Sequence, residues 1–489
     1  MRRYVVALDV GSSSVRALLF DLRMHEVRGA EVHHRYRPLT RSDGTAEVDP
    51  DVLIRLVGRC LSDLLRLAGP RRAASIAGVG VSTFWHGLVG ADDSARALTP
   101  LYLWADSRSW SAVARLEDRL DVEAVRQRTG CPIHPSYWPA KLAWLKQSRP
   151  NLWKQPVRWL SFGDLLYWRW FGRLGTSLSM ASGTGLFRLE DCRWDEELMS
   201  LLGIRPDNLP PIAEVAQGLT VGRHRRQALA GIPWMHATGD GALANLGSGC
   251  LTPARRSLTI GTSGALRVMH PAPGPALPRG LWTYRLDRQR LVTGGALSNG
   301  GNLWAWLRHV LRVEDAGLES RLRAMTPAAH GLTFLPHLAG ERSLGYDAHA
   351  FGAIAGLTSA TTAEDIVRAG LEAVAIEFAR VDHRLDEVLP RPRLLVASGA
   401  ALLSSPAWMQ MMADATGRSV AASQSREASS SGAAVFAIES LGLGDPAKLA
   451  AGAGRTFRPR TRAATAYRKA TSRQEALYGA LITDRLLNL

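Results

Sequence analysis

One phrase occurs twice in this chain, and it constrains the fold more than any other feature. VVALDVGSSSVRALLFD, from Val5 to Asp21, is an apolar run that breaks into Gly and Ser and then resumes with alternating apolar residues. SLTIGTSGALRVM, from Ser257, repeats the pattern. Each predicts strand, tight glycine turn, strand. No helix is expected directly after the glycine, where a dinucleotide-binding fold or a Walker loop needs one, and neither GxGxxG nor GxxxxGK[ST] occurs. A hairpin turn binds phosphate differently. Gly11 allows close backbone approach, the amides and hydroxyls of Ser12, Ser13 and Ser14 point into one concavity, and Arg16 adds a charge-assisted contact. Read alone, the first segment is better taken as an ordinary hairpin. Two such hairpins at equivalent points suggest a duplicated unit with both turns facing one nucleotide.

A length of 489 residues exceeds what one hydrophobic core usually supports, so two large domains are expected, over 1–249 and 250–489. The net charge of +16 raises nucleic-acid binding. Only Lys141, Lys146, Lys154, Lys448 and Lys469 are lysines, however, and the many arginines form no block and no stripe with aromatics. The charge therefore reads as arginine usage on a solvated surface that also attracts anionic ligands, with no nucleic-acid partner expected. Cys60, Cys131, Cys192 and Cys250 show no CxxC and no zinc spacing, which fits a reduced cytosol. Asp9 interrupts the first apolar run too early for a signal peptide, and no apolar stretch is long enough to span a membrane.

The surroundings of the second phrase carry further signals. In ATGDGALANLGSG (237–249) Asp240 sits between Gly239 and Gly241, ahead of a small-residue helix over 242–246. An acid on such a turn approaches a ligand closely; the same spacing also suits an Asp that caps the helix. RLLVASGAALLSSPAWMQMMADATG predicts a strand over 394–397, a glycine turn with room for a flat ring, and a helix with Ser405 as N-cap, Pro406 in its first turn and Gly417 as its stop. Another helix starts at Thr362 with Asp365 as capping-box partner, and Ile366, Val374, Phe378, Val381 and Leu385 form its core stripe. A helix after Asp49-Pro50 turns Leu53, Val57, Leu61 and Leu64 inward.

Together these segments resemble the FGGY family of carbohydrate kinases, of the actin and hexokinase ATPase superfamily. VALDVGSSS is similar to the first phosphate motif, TIGTSG to the second and VASGAALLSSPAW to the adenosine motif. Within the family the chain resembles gluconokinases through WADSRS (104–109), TGCPIHPSYWPAKLAWL (129–145), GDGALANLGSG (239–249), GGALSNGG (294–301) and FLPHLAGERSLGYDAHAFGAIAGL (334–357). The resemblance implies an α/β fold of two duplicated actin-like (ribonuclease H-like) domains, with ATP and sugar in the cleft between them. It departs from the family pattern at Ala400, where the adenosine motif has a second Gly, and at Trp85-His86-Gly87, where gluconokinases carry Met-His-Ser. Glycerol kinases have an Arg-Glu pair there, and its absence speaks against glycerol.

The same resemblance implies roles. Asp240 matches the family's catalytic base. Asp9 ends a strand beside the first phosphate loop, where it, with Asp240, would hold Mg²⁺. Gly261 and Thr262 would contact phosphates, while Gly301, Gly399, Ala400 and Ser404 would border the nucleotide. Trp85, His86, Trp104, Asp106, Arg108 and His134 would line the acceptor site, and Lys141, Arg108 or His134 would answer the carboxylate of a sugar acid. Each of the last three reads first as a satisfied structural residue. The expected activity is ATP-dependent phosphorylation of gluconate. A pentulose such as xylulose is the alternative acceptor, and a non-catalytic actin-like nucleotide-binding or regulatory protein is the alternative class. Self-association as a homodimer stays open.

Overall fold

A computed structural model describes residues 2–213, 219–220, 229, 231–314, 316–347 and 349–486. The chain begins with β1 (Tyr4–Val10) and β2 (Ser14–Asp21), antiparallel with Asp9 opposite Arg16 and Val10 opposite Val15. β3 (Glu26–Arg35) continues the meander. Asp49 then caps α1 (Pro50–Ala73), accepting from the amides of Asp51 and Val52. Leu53, Val57, Leu61 and Leu64 are buried from that helix, as their spacing requires. β4 (Ile76–Thr83) returns parallel to β1 and is buried at every position, as befits a strand covered on both faces. The short β5 (Thr238–Gly239) pairs parallel with the end of β4 and leads straight into α2 (Asp240–Gly247).

The second half repeats this order. β6 (Arg255–Ile260) and β7 (Gly264–Pro271) are antiparallel around the GTSG turn. β8 (Trp282–Arg285) and β9 (Arg290–Leu297) extend the meander, and α3 (Ala363–Asp386) returns the chain to β10 (Leu394–Ser398), parallel to β6. Thr362 and Asp365 form the expected capping box on α3. Then follow α4 (Pro406–Thr416), capped by Ser405 and stopped at Gly417, and β11 (Val420–Ser423), parallel to β10. One sheet thus runs β3-β2-β1-β4, the other β9-β7-β6-β10-β11, with additional strands at their ends. In both, a hairpin is followed by a helix-connected parallel strand on the hairpin's first member. This duplication of an actin-like unit is what the repeated phrase encodes.

The sheets fall on either side of residues 249/250, yet packing does not respect that division. α5 (Ala428–Ser440) lies on α2, β1 and β4 and adds Ala433, Ala434, Phe436 and Ile438 to the first core. The approach is at backbone distance: a Cβ at Gly432 would lie 1.8 Å from Leu243 O, and one at Gly247 would lie 2.0 Å from Ala428 O. Only glycine fits either place. A third core, including Leu88, Tyr102, Trp138, Trp159 and Leu198, belongs to the segment between β4 and β5. Among the described residues no helix is long and apolar enough to cross a membrane, and all four cysteines are free.

Candidate active site

β4 delivers the first site residues. Phe84 N–H donates to Val10 O at 3.1 Å, so the chain leaves β4 beside the first glycine turn. Trp85 and His86 follow, and both are buried. The Trp85 Nε1–H donates to Ser179 O at 2.9 Å, and Ser179 Oγ accepts the Gly239 amide at 3.1 Å. His86 adopts φ +67, a conformation that a bulky residue takes only where its surroundings enforce it. Its Nδ1 lies 2.5 Å from Gly183 O. A carbonyl accepts only, so Nδ1 carries the proton and Nε2 is left as an acceptor. Burial, with Arg342 nearby, pushes the imidazole down to about 3, which keeps this tautomer neutral.

Asp240 opens α2, and its Oδ1 accepts the Gly241 amide at 2.7 Å. Burial raises its carboxyl to about 6 and Asp9 adds to the rise, against the opposing pull of Arg267 and Arg342. Asp9, at the end of β1, is buried as well and raised by desolvation, with Ser430 Oγ at 3.5 Å from its Oδ2. Two buried carboxylates in each other's field form a site suited to a hard cation.

Asp240, Trp85 and His86 meet in a cavity of about 300 Å³ between the halves, and Asp9 is not part of its wall. Ser12, Trp85, His86, Trp104 and Asp240 line it from one half, with Thr259, Gly261, Thr262, Arg267, Tyr284 and Arg342 from the other. Trp282 stacks on Tyr284 with ring centroids 4.3 Å apart, and Trp85 lies 4.7 Å from Tyr284, giving the cavity an aromatic wall. Ser13, Ser14 and Arg16 face a second cavity with His33, Arg35 and Arg37. Arg16 reaches across the fold to Glu427 at 2.6 Å. The Gly11 amide closes the hairpin onto Ser14 O, and Tyr36 Oη donates to Gly11 O.

Gly301 and Gly399 pack against the second turn. A Cβ at Gly301 would lie 2.3 Å from Gly261 O, and one at Gly399, whose φ is +91, would lie equally close to Ile260 O. Their absent side chains leave room for the turn's own backbone, whereas a Cβ on Gly261 would meet open space. Ala400 and Ser404 are exposed on the short helix Ala400–Leu403 and its cap.

Four acceptor-side sequence candidates lie outside the cavity wall. Asp106 and Arg108 bind each other and, through Arg108, Glu47; Asp106 also accepts the Ala46 amide, and the guanidinium lies over Tyr102 and Trp144. His134, held well below its usual range by burial, sits among Trp110, Tyr137 and Tyr346. Lys141, raised as a carboxylate partner, is buried and donates to Pro135 O. Sequence reasoning missed Arg267, Arg342, Thr259, Trp282 and Tyr284. Arg267 could have been found, because it stands two residues beyond Ala265, the first residue after the GTSG turn, on the same face of β7.

A duplicated hairpin fold whose two glycine turns border one buried acid is that of the actin-like ATPases. Family models for the FGGY carbohydrate kinases match residues 4–247 with the N-terminal domain and 257–440 with the C-terminal domain, and the chain belongs to that family. It is thus an ATP-dependent sugar kinase. The chain is 28% identical to the gluconokinase of Bacillus subtilis, over 90% of this chain and 88% of that protein. It is 30% identical to a glycerol kinase of Aromatoleum aromaticum, over 90% of each. Among solved structures, a ligand-bound xylulose kinase and a gluconate kinase, both from Lactobacillus acidophilus, superpose with TM-scores of 0.90 and 0.89, each 26% identical and matched over 98% of both chains.

Proposed function

We propose that this protein transfers the γ-phosphoryl group of ATP to the terminal hydroxyl of gluconate, giving 6-phosphogluconate and ADP. The observation that carries the reading is the single cavity shared by Asp240, His86 and the Gly261-Thr262 turn. Phosphoryl transfer has a loose transition state, so the protein's work is alignment and charge stabilisation. Asp240 takes the hydroxyl proton as the bond to phosphorus forms. His86 Nε2 accepts from a second hydroxyl, and the Trp85 and Tyr284 rings cover the carbon chain. Gly261, Thr262 and Ser12 meet the phosphates, with Ser13, Ser14 and Arg16 beside them; Gly301, Gly399, Ala400 and Ser404 border the nucleoside. Asp9 and Asp240 fit Mg²⁺, which needs few protein carboxylates and would neutralise charge on the phosphates. Closure of the halves would exclude water from the acceptor. A cytoplasmic location follows from the substrates proposed.

The test is ADP release with gluconate, xylulose and glycerol offered in parallel. Gluconate is expected to give the highest kcat/KM, by about tenfold or more. Preference for xylulose would make the protein a pentulose kinase, and ADP release indifferent to every acceptor would overturn the kinase chemistry.

A further inference from the structure

Arg267 and Arg342 line the acceptor cavity, and neither has a carboxylate partner within ion-pair distance among the described residues. Several other arginines of the interior are matched to acids, while buried Arg285 is held by the carbonyls of Leu189, Asp287 and Arg288. Arg256 binds Asp382 and Asp386, Arg368 binds Glu372, and Arg108 binds Asp106 and Glu47. The Nε atoms of Arg267 and Arg342 are both sealed from solvent and lack any hydrogen-bond acceptor; Arg256 Nε and Arg368 Nη2 do too, but those guanidiniums have an acid on their other nitrogens. A sealed charged donor without a partner is unfavourable, and two such cations near each other are more so.

Both are nevertheless built into place. The Arg267 guanidinium lies against Gly241, where a Cβ would come within 2.9 Å of Nε, and its Nη1 donates to Thr259 Oγ1 at 3.3 Å. Arg342 stands over the Trp104 ring, 5.1 Å from the centroid. Its neighbour Glu341 ties the loop down by accepting the amides of Gly345 and Asp347 and the Tyr478 hydroxyl. Asp240 is the acid that acts on Arg267, but a single carboxylate reserved for a proton leaves one positive charge of the pair unanswered. A neutral ketose or polyol offers these donors only hydroxyl or carbonyl oxygens and leaves that second positive charge unanswered.

We propose that Arg267 and Arg342 together grip the carboxylate of the acceptor, so that an aldonate, not a ketose or polyol, is the substrate class of this pocket. This rests on the kinase reading and adds its charge specificity. An anion here could also come from the γ-phosphate of ATP. The acceptor is favoured because Arg342 stacks on Trp104 and acts on His86 and Lys141, all three from the segment between β4 and β5.

The test compares gluconate with gluconamide, a neutral molecule of the same length, in wild type and in Arg267→Gln and Arg342→Gln. Wild type should favour gluconate by about 30-fold or more in kcat/KM, and each variant should lose about 10–100-fold with gluconate, a much larger drop than with gluconamide. Arg342→Lys, which keeps charge but not the planar fork, should fall between. Equal use of both acceptors by wild type, or exclusive use of xylulose, overturns the clamp while the kinase chemistry stands. Loss of ATP affinity with the acceptor preference intact assigns the pair to phosphate and also overturns it. If no acceptor is turned over, calorimetric titration of gluconate without nucleotide decides: weakening of about 10-fold or more in both variants supports the clamp, and unchanged or absent binding refutes it.

Discussion

The indole of Trp85 occupies the space that a side chain at Gly239 would need: a Cβ there would lie 1.9 Å from Trp85 Cε2 and 2.1 Å from Nε1. The same ring would meet a Cβ at Gly241 within 2.5 Å. Trp85 therefore sets the position of the turn that carries Asp240. Gly239→Ala is expected to displace the indole, break its hydrogen bond to Ser179 O and destabilise the fold by about 1–3 kcal/mol. Acceptor turnover should fall with it. Melting curves and kcat measured together check this; an alanine variant with wild-type values of both would show that the ring does not buttress the turn.

Asp240→Asn should retain ATP affinity and lose about 10²–10⁴-fold in turnover. In wild type, kcat/KM should fall as pH drops below about 6, where the free enzyme's Asp240 takes up its proton. His86 adds no step in that range because its pKa is held near 3. An acid limb that survives in Asp240→Asn would belong to another group.

The same carboxylate makes a stability prediction. Its folded pKa of about 6 lies above the ordinary 3.8, so the folded state holds the proton more tightly than the unfolded chain. Stability is therefore lost as pH rises from about 4 to about 6, and above that the full cost of the buried anion is present. Two pKa units correspond to about 3 kcal/mol, of which new contacts to the amide would remove a part. Asp240→Asn should melt higher than wild type at about pH 8, and the gap should close near pH 4. A gap that is constant with pH would place its origin outside ionisation. Such a trade between stability and activity is expected where a charged group is held ready for chemistry.

The fold was legible because its signals are local. Glycine turns between alternating runs, the Thr362–Asp365 box and the Ser405-Pro406 start each depend on residues within a few positions of one another, and all formed as expected. Asp240 was legible for a similar reason: its flanking glycines announce close approach. The partners of the acceptor wall were not. Arg108 and Lys141 look available in sequence, and only the fold brings Glu47 to the first and Pro135 O to the second. Arg267 and Arg342 stand out by making no ion pair among the described residues, which is a property of space alone. The α5 helix likewise crosses back to the first core through small residues, Ala428 and Gly432, that carry no periodic signal of their destination.

Lys141 gives the last test, because sequence offered it as the acceptor's cation and the fold gives it other work. It is buried, it donates to Pro135 O, and it is absent from the wall of the acceptor cavity. Burial pushes its ammonium down to about 7, with Asp106 opposing the fall. Between about 7 and 10.5 the unfolded chain holds the proton that the folded chain has lost, so stability rises with pH across that window. Below it the full cost of the buried charge applies. Lys141→Met keeps the volume and removes that cost, at the loss of one hydrogen bond, so it should be more stable than wild type by about 1–3 kcal/mol near pH 6. The gain should vanish by about pH 10, where wild-type Lys141 is neutral in the fold. The KM for gluconate should change by less than about threefold, as expected for a residue that does not touch the acceptor. A large rise in KM for gluconate but not for gluconamide would instead return Lys141 to the carboxylate's coordination, alongside or in place of the two arginines.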